Sequence, residues 1–113
     1  MKHEMKLQPE YYNFILNGTK RIEIRLYDEK RQQIKIGDII KFLKEPDLTE
    51  SFDVKVTGLL RYSSFEDMFK DFDISVLSDK SMTKEELITV LEQFYTKEKQ
   101  EKYGVLGIRF ELI

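Results

Sequence analysis

The chain has 113 residues, of which 41% are hydrophobic and 12% aromatic, so it can form one domain with a real core. It contains no cysteine and one histidine, His3, near a terminus that we expect to be mobile. We therefore exclude disulfide scaffolds, thiolate zinc sites, cysteine nucleophiles and Ser-His-Asp triads, and expect neither a metal nor a cofactor. No apolar run reaches the roughly 20 residues of a membrane span and no signal peptide opens the chain, so a cytoplasmic location is expected.

Charge is unevenly distributed along the chain. The formal net charge is −2, but residues 1–44 carry a net +4 and residues 45–113 a net −6. A positive surface built from the first half would attract an anionic ligand, whereas ordinary solvated charge is the alternative. The modest net charge of the whole chain favours a compact ligand or a short single strand of nucleic acid over long contacts with a duplex.

The first half of the chain shows one helical pattern followed by strand patterns. A proline suited to a first turn and a glycine suited to the position after the end predict a helix from Gln8 to Asn17. Isoleucines alternating with charged residues predict a strand from Lys20 to Leu26, followed by a polar loop. Ile34 to Leu43 is predicted as two short strands joined by a tight turn at Gly37-Asp38.

The second half has clearer helix signals. Alternation from Phe52 to Tyr62 predicts a strand with a bulge or bend at Gly58. Ser63-x-x-Glu66 and Thr83-x-x-Glu86 are capping-box patterns that open helices, whereas Asp73 to Ser81 has no readable pattern. The helix after Thr83 is predicted to bury one face, formed by Leu87, Val90, Leu91, Phe94 and Tyr95. Lys97 to Lys102 is interpreted as a solvated charge run, and Gly104 to Ile113 as a final strand that buries Leu106, Ile108, Phe110 and Leu112.

Short, closely spaced strands with interspersed helices predict an α+β fold, a small and partly closed β-barrel of about five to six strands with flanking helices. Gly18, Lys20, Glu23 and Arg25 stand in the pattern G-x-K-x-x-E-x-R, which resembles the signature of the ASCH domain family. The resemblance continues in residues 36–42, 62–66 and 103–110. It therefore covers nearly the whole chain and implies a single domain, residues 1–113, in the PUA-like superfamily of small mixed β-barrels.

The resemblance implies a cleft beside the first strand and a ligand that is RNA or a modified nucleoside or nucleotide. One bacterial branch of the family hydrolyses the acetyl amide of N4-acetylcytidine with a threonine nucleophile, a lysine and a further acidic residue. This sequence has Lys20 at the lysine position but Glu23 at the nucleophile position, and Asp79 lies in the region of the third group.

The motif residues have chemistry suited to such a cleft. If buried, Lys20 would act as a general base, and as a cation it would hold a phosphate or carbonyl oxygen; a surface lysine in a turn is the alternative. Glu23 would orient Lys20, accept from a base amino group or activate a water. Arg25 would donate to a phosphate or a base edge, whereas an exposed Glu23–Arg25 ion pair is the structural alternative. Lys20 and Arg25 are expected to face solvent at least in part.

Further candidates are a hydroxyl and several aromatic rings. Thr19, the hydroxyl nearest to Lys20, would act as a nucleophile from a shifted position or be a turn residue. Tyr27, Tyr62 and Tyr103 would stack on a base or pack in the core.

Three function classes stay open. They are recognition of RNA or a modified nucleoside, metal-free hydrolysis by Lys20 and Glu23 (an amidohydrolase or a ribonuclease), and a module that binds a protein partner.

Overall fold

The computed structural model describes residues 1–78 and 81–113, which form one curled sheet and several short helices. The strands are β1 (Lys2–Leu7), β2 (Ile22–Leu26), β3 (Ile39–Lys44), β4 (Ser51–Tyr62) and β5 (Val105–Leu112). The helices are α1 (Pro9–Leu16), α2 (Phe65–Phe69), α3 (Ile74–Leu77), α4 (Lys84–Glu92) and α5 (Lys97–Tyr103), with a 3-10 turn at Arg31–Gln33. Among these residues, no helix has both the length and the apolar character needed to cross a bilayer.

The sheet has the strand order β1-β3-β4-β5-β2 and curls into a half-barrel. β1 pairs with β3 in parallel, and the other neighbouring strands pair antiparallel. β1 and β2 are consecutive along the chain but form the two opposite edges of the sheet, and α1 connects them. The α+β class and the barrel-like sheet predicted from the sequence are confirmed.

Two apolar clusters fill the domain. The first joins α1 to β1, β3 and β4, and its fully buried members include Ile15, Ile40 and Phe42. The second packs the helices that follow β4 against β2 and β5, through residues such as Phe65 and Met68. The helix-rich second half therefore lies over β2, the strand that contains most of the charged motif.

Two local predictions are confirmed at atomic detail. The register of β4 against β5 shifts between Val56 and Gly58, so the glycine marks the expected bulge. Thr83 forms the complete capping box, since its hydroxyl accepts from the Glu86 amide while the Glu86 carboxylate accepts from the Thr83 amide.

The amino-terminal segment differs from the prediction, because residues 2–7 form a strand. His3 was expected near a mobile terminus, but its Nε2 lies 2.8 Å from Asp38 Oδ2. The same carboxylate oxygen accepts from the Lys35 amide at 3.0 Å. The prediction of two strands in Ile34 to Leu43 was also wrong. A turn around Gly37, whose φ is 94°, occupies the first half of that stretch, and β3 begins only at Ile39.

The helix predictions need three corrections and the prediction for the last strand needs one. The charge run after Thr96 is helix α5, because Thr96 caps it and its Gln100 is buried between helices. Ser64 rather than Ser63 caps α2, through a bond from the Asp67 amide. α4 ends at Glu92, so Phe94 leaves the helical face and is 56% exposed. In the last strand, Leu112 was predicted to be buried but is 48% exposed at the end of β5.

Candidate functional site

The motif begins in a turn that is fixed by backbone bonds on both sides. Gly18 follows α1 with φ 85°, a conformation that glycine adopts without the steric cost of a Cβ. The Lys20 amide donates to the Phe14 carbonyl of α1 at 3.0 Å, and the Arg21 amide donates to the Val76 carbonyl of α3 at 2.9 Å. Helix α1 and helix α3, which lies more than fifty residues later, therefore fix the position of the backbone that carries the Lys20 side chain.

The Lys20 ammonium lies inside the protein. The residue is 3% exposed, and its Nζ donates to the Leu77 carbonyl at 2.5 Å and lies 3.6 Å from Glu23 Oε1. The same nitrogen lies 5.7 Å from the centre of the Tyr11 ring. Burial lowers the pKa of Lys20 below its ordinary value, and the neighbouring Glu23 carboxylate opposes that shift only in part.

Arg25 joins the same carboxylate from the other side. Its Nε and Nη2 lie 2.9 Å and 2.8 Å from Glu23 Oε2, and Nη2 also donates to the Lys6 carbonyl of β1 at 2.9 Å. Burial lowers the pKa of Arg25, but Glu23 and Tyr95 raise it by more, so the net pKa is above the usual value. Since Arg25 is on β2 and Lys6 on β1, the guanidinium bridges the two edges of the half-barrel.

The expectation that Lys20 faces solvent at least in part was wrong, whereas Arg25 keeps a small exposed fraction. The side chains of Lys20, Glu23 and Arg25 are only 4%, 7% and 13% exposed. The prediction assumed that the charged face of β2 lies outward because its isoleucines fill the core. Instead β1, α1 and the end of α4 cover this face, so both sides of the strand are enclosed.

The three motif side chains line one cavity of about 190 Å³. Its walls come from α1 and α4 and include the aromatic residues Tyr11, Phe94 and Tyr95. Lys6 and Glu45 also line it, so the ionised groups of the wall sum to one positive charge. The cavity thus combines a paired, charged floor with apolar and aromatic sides.

This arrangement favours holding a ligand oxygen or a planar ring over metal binding. In residues 1–78 and 81–113, no group of three or more histidine, aspartate or glutamate side chains could hold a metal ion. The Glu23 carboxylate has Lys20 near one oxygen and Arg25 on the other. A ligand that binds any of these three groups therefore competes with these ion pairs. Burial lowers the pKa of Lys20, so its ammonium gives up a proton more readily than that of an exposed lysine.

Several candidates from the sequence lie apart from this cavity. The Thr19 amide donates to the Asn17 side chain, in keeping with a turn residue. Tyr27 has the Arg61 guanidinium 3.9 Å from its ring centre, and Tyr103 has the Lys102 ammonium at 5.1 Å. Tyr62 donates to Asp71 Oδ2 at 2.8 Å.

None of these four residues lines the cavity, and Asp79 lies outside the described residues.

The aromatic wall of this cavity was not predicted from the sequence. Tyr11 lies on α1, just before the motif. Phe94 and Tyr95 follow α4 and reach the cavity only because the chain folds back over β2. The available signal was the pair of adjacent aromatics at the end of an amphipathic helix, which a core role explains equally well.

Comparisons with known proteins agree with this architecture. The model of the family described as ASCH domain matches residues 5–113. The crystal structure of hypothetical protein PH0355 is 46% identical, with full coverage of both chains and a TM-score of 0.88. The solution structure of protein PF0455 from Pyrococcus furiosus is 39% identical over 100% of this chain and 98% of that chain, with a TM-score of 0.80.

A more distant likeness is to the ASCH domain from Lactobacillus crispatus JV V101, at 16% identity over 98% of this chain and 79% of that chain, with a TM-score of 0.68. At that identity the match supports the fold alone. A search of curated proteins found no match.

Proposed function

Because the chain belongs to the ASCH domain family, we propose that it binds RNA or a modified nucleoside or nucleotide in the cavity of Lys20, Glu23 and Arg25. The observation that carries the proposal is the convergence of these three motif side chains on one cavity with aromatic walls. Aromatic rings stack on a base, while the charged floor is suited to its carbonyl and amino groups.

The size and charge of the cavity narrow the ligand. Its volume of 190 Å³ is below the roughly 300–1,000 Å³ of clefts that enclose drug-sized ligands. We therefore expect one base or nucleoside to enter, as a free molecule or as an unpaired residue of an RNA strand. A base within a duplex would not fit, since its partner and neighbours occupy both its edge and its faces.

The first test is binding by a variant that keeps the shape of the site. Lys20→Met retains an unbranched apolar stem and removes the ammonium group. We expect it to weaken binding of cytidine, N4-acetylcytidine or a short oligouridylate at least tenfold in calorimetric titrations. Lys55→Met, at an exposed position on β4, is the matched control and should bind as the unmodified protein does.

Equal binding by both variants would contradict the proposed site. If no nucleoside, nucleotide or RNA binds to the unmodified protein, the recognition function fails and a protein partner becomes the leading candidate.

A second candidate function, metal-free hydrolysis of an acylated cytidine or of RNA, is favoured by one observation. Lys20 is buried with a lowered pKa beside Glu23, an environment in which lysines act as general bases. Glu23, however, stands where the hydrolytic relatives have threonine, and a carboxylate is a poor nucleophile toward an unactivated amide. We therefore expect little or no release of cytidine from N4-acetylcytidine. Rapid release that disappears in Lys20→Met would establish the hydrolase instead.

A further inference from the structure

A second cavity lies on the other side of the start of β2. It has a volume of about 350 Å³, and its lining includes Arg21, Ile22 and Arg109. Lys20 lines the first cavity and Arg21 the second, so two successive residues point into different sites. The second volume falls within the roughly 300–1,000 Å³ typical of small-molecule clefts.

The two arginines differ electrostatically from the cations of the first cavity. There, Arg25 and Lys20 both have Glu23 as a partner. Within residues 1–78 and 81–113, neither Arg21 nor Arg109 forms an ion pair, although Glu111 also lines this cavity. The wall therefore presents two guanidinium groups against one carboxylate and lacks an anion that would satisfy both cations.

Arg109 packs its stem against a glycine of β4. It is opposite Gly58, at the bulge of β4, and a Cβ at that glycine would lie 3.3 Å from Arg109 Cβ and 3.4 Å from its Cδ. The arginine stem thus lies across the bare glycine backbone. Its guanidinium is 5.6 Å from the centre of the Phe72 ring, within the range of a cation–π contact.

The remaining wall is apolar. Ile22 is buried, and Phe72 and Val76 are partly buried beside it. Both arginines are exposed, so their guanidinium groups can be reached by a ligand from solvent. A guanidinium is a planar donor that matches phosphate oxygens in a bidentate geometry.

From these observations we propose that this second cavity binds the phosphate group of a nucleotide, held between Arg21 and Arg109, with the rest of the nucleotide covering the apolar wall. The phosphate is either that of a free nucleotide or that of a single-stranded RNA. The proposal rests on residues of this cavity alone and does not require the function proposed for the cavity of Lys20.

The direct test uses uridine 5′-monophosphate, uridine and sulfate as probes. In NMR titrations we expect the monophosphate to shift the Nε–Hε signals of Arg21 and Arg109 and to bind at least tenfold more tightly than uridine. The double variant Arg21→Ala/Arg109→Ala should abolish that difference. The control Lys30→Ala/Lys99→Ala removes two exposed charges that line neither cavity and should preserve it.

A salt series on a short oligouridylate separates free nucleotide from RNA. Each phosphate contact on a single strand contributes about 0.7 to the log–log salt slope, so loss of two contacts should reduce the slope by about 1.4 if RNA is the source. If the double variant loses the response to the monophosphate but keeps the salt slope of the unmodified protein, the phosphate is that of a free nucleotide, which still supports the phosphate site.

Three outcomes would overturn the proposal. They are no shift of either arginine signal, an equal response to sulfate and to the monophosphate, and an equal loss in the lysine control. Lys20→Met should leave the arginine response intact, so failure of the first cavity is recognised separately.

Discussion

Glu23 and Arg25 lie two residues apart on β2, and one carboxylate oxygen of Glu23 contacts both Nε and Nη2 of Arg25, at 2.9 Å and 2.8 Å. The other oxygen lies 3.6 Å from the Lys20 ammonium. One buried carboxylate therefore compensates two buried cations. A residue that the motif suggests for ligand chemistry is also the electrostatic centre of this part of the fold.

Glu23→Gln should destabilise the protein strongly. The amide keeps the shape of the side chain but leaves two cations buried without an opposite charge, and breaking a buried pair typically costs about 3–5 kcal/mol. We expect a loss of roughly 3 kcal/mol in the free energy of unfolding, measured in urea. Glu101→Gln, on the exposed face of α5, is the matched control and should stay within about 0.5 kcal/mol. A loss of less than about 0.5 kcal/mol in both variants would mean that water already solvates the Glu23 carboxylate and its two cations.

Lys20 should give the protein a distinctive alkaline pH dependence. Its pKa is lower in the folded protein than its ordinary value of 10.5, so between these two values the unfolded chain binds more protons. Stability attributable to this group therefore rises with pH up to about 10.5 and is lost as the pH falls through the folded value.

We expect the free energy of unfolding of the unmodified protein, relative to that of Lys20→Met, to increase over this range. Because Lys55→Met retains Lys20, the difference in the free energy of unfolding between the unmodified protein and Lys55→Met should not change with pH. The same increase in that difference would refute the assignment to Lys20.

Gln100 should be a stability determinant in spite of its position within a charged segment. Its amide donates to the Tyr95 carbonyl at 3.0 Å and to Glu92 at 3.1 Å, and its carbonyl accepts from the Phe65 amide at 3.1 Å. With about 1 kcal/mol for each bond, Gln100→Ala should cost about 2–3 kcal/mol. Gln93→Ala, at an exposed position, provides the comparison, and equal midpoints of thermal unfolding for the two variants would contradict the prediction.

Asp38 should confer stability that acid removes. The His3 side chain, then the Lys35 amide, hold the pKa of this carboxyl well below its ordinary value of 3.8, against the opposing effect of burial. Its contribution is present above pH 3.8 and is lost as the pH falls through the lower folded value. Asp38→Asn should lower the melting temperature at neutral pH, with a difference that narrows in acid. Asp47→Asn, at an exposed turn, should show no such pH-dependent difference.

The features that the sequence predicted well depend on contacts close along the chain. The capping box at Thr83 joins residues three apart, and the bulge at Gly58 follows from a glycine within an alternating strand. The motif also placed Lys20, Glu23 and Arg25 together, because they lie within one turn and one short strand.

The features that were missed depend on distant partners. β1 has only two buried side chains, Met5 and Leu7, and becomes a strand because β3 pairs with it across more than thirty residues. Burial of Lys20 requires the Leu77 carbonyl, which lies 57 residues later. No local pattern distinguishes such a lysine from one in a solvated turn.

The strand order has a consequence for the time at which the motif acquires its environment. β2 pairs with β5, and β5 lies between β4 and β2 in the sheet. On the ribosome, Ile22–Leu26 is made early but has no sheet partner until Val105–Leu112 has emerged. The charged residues of the motif therefore stay hydrated until β5 has been made, and we expect their desolvation to accompany the insertion of β5 between β4 and β2, a pairing of high sequence separation.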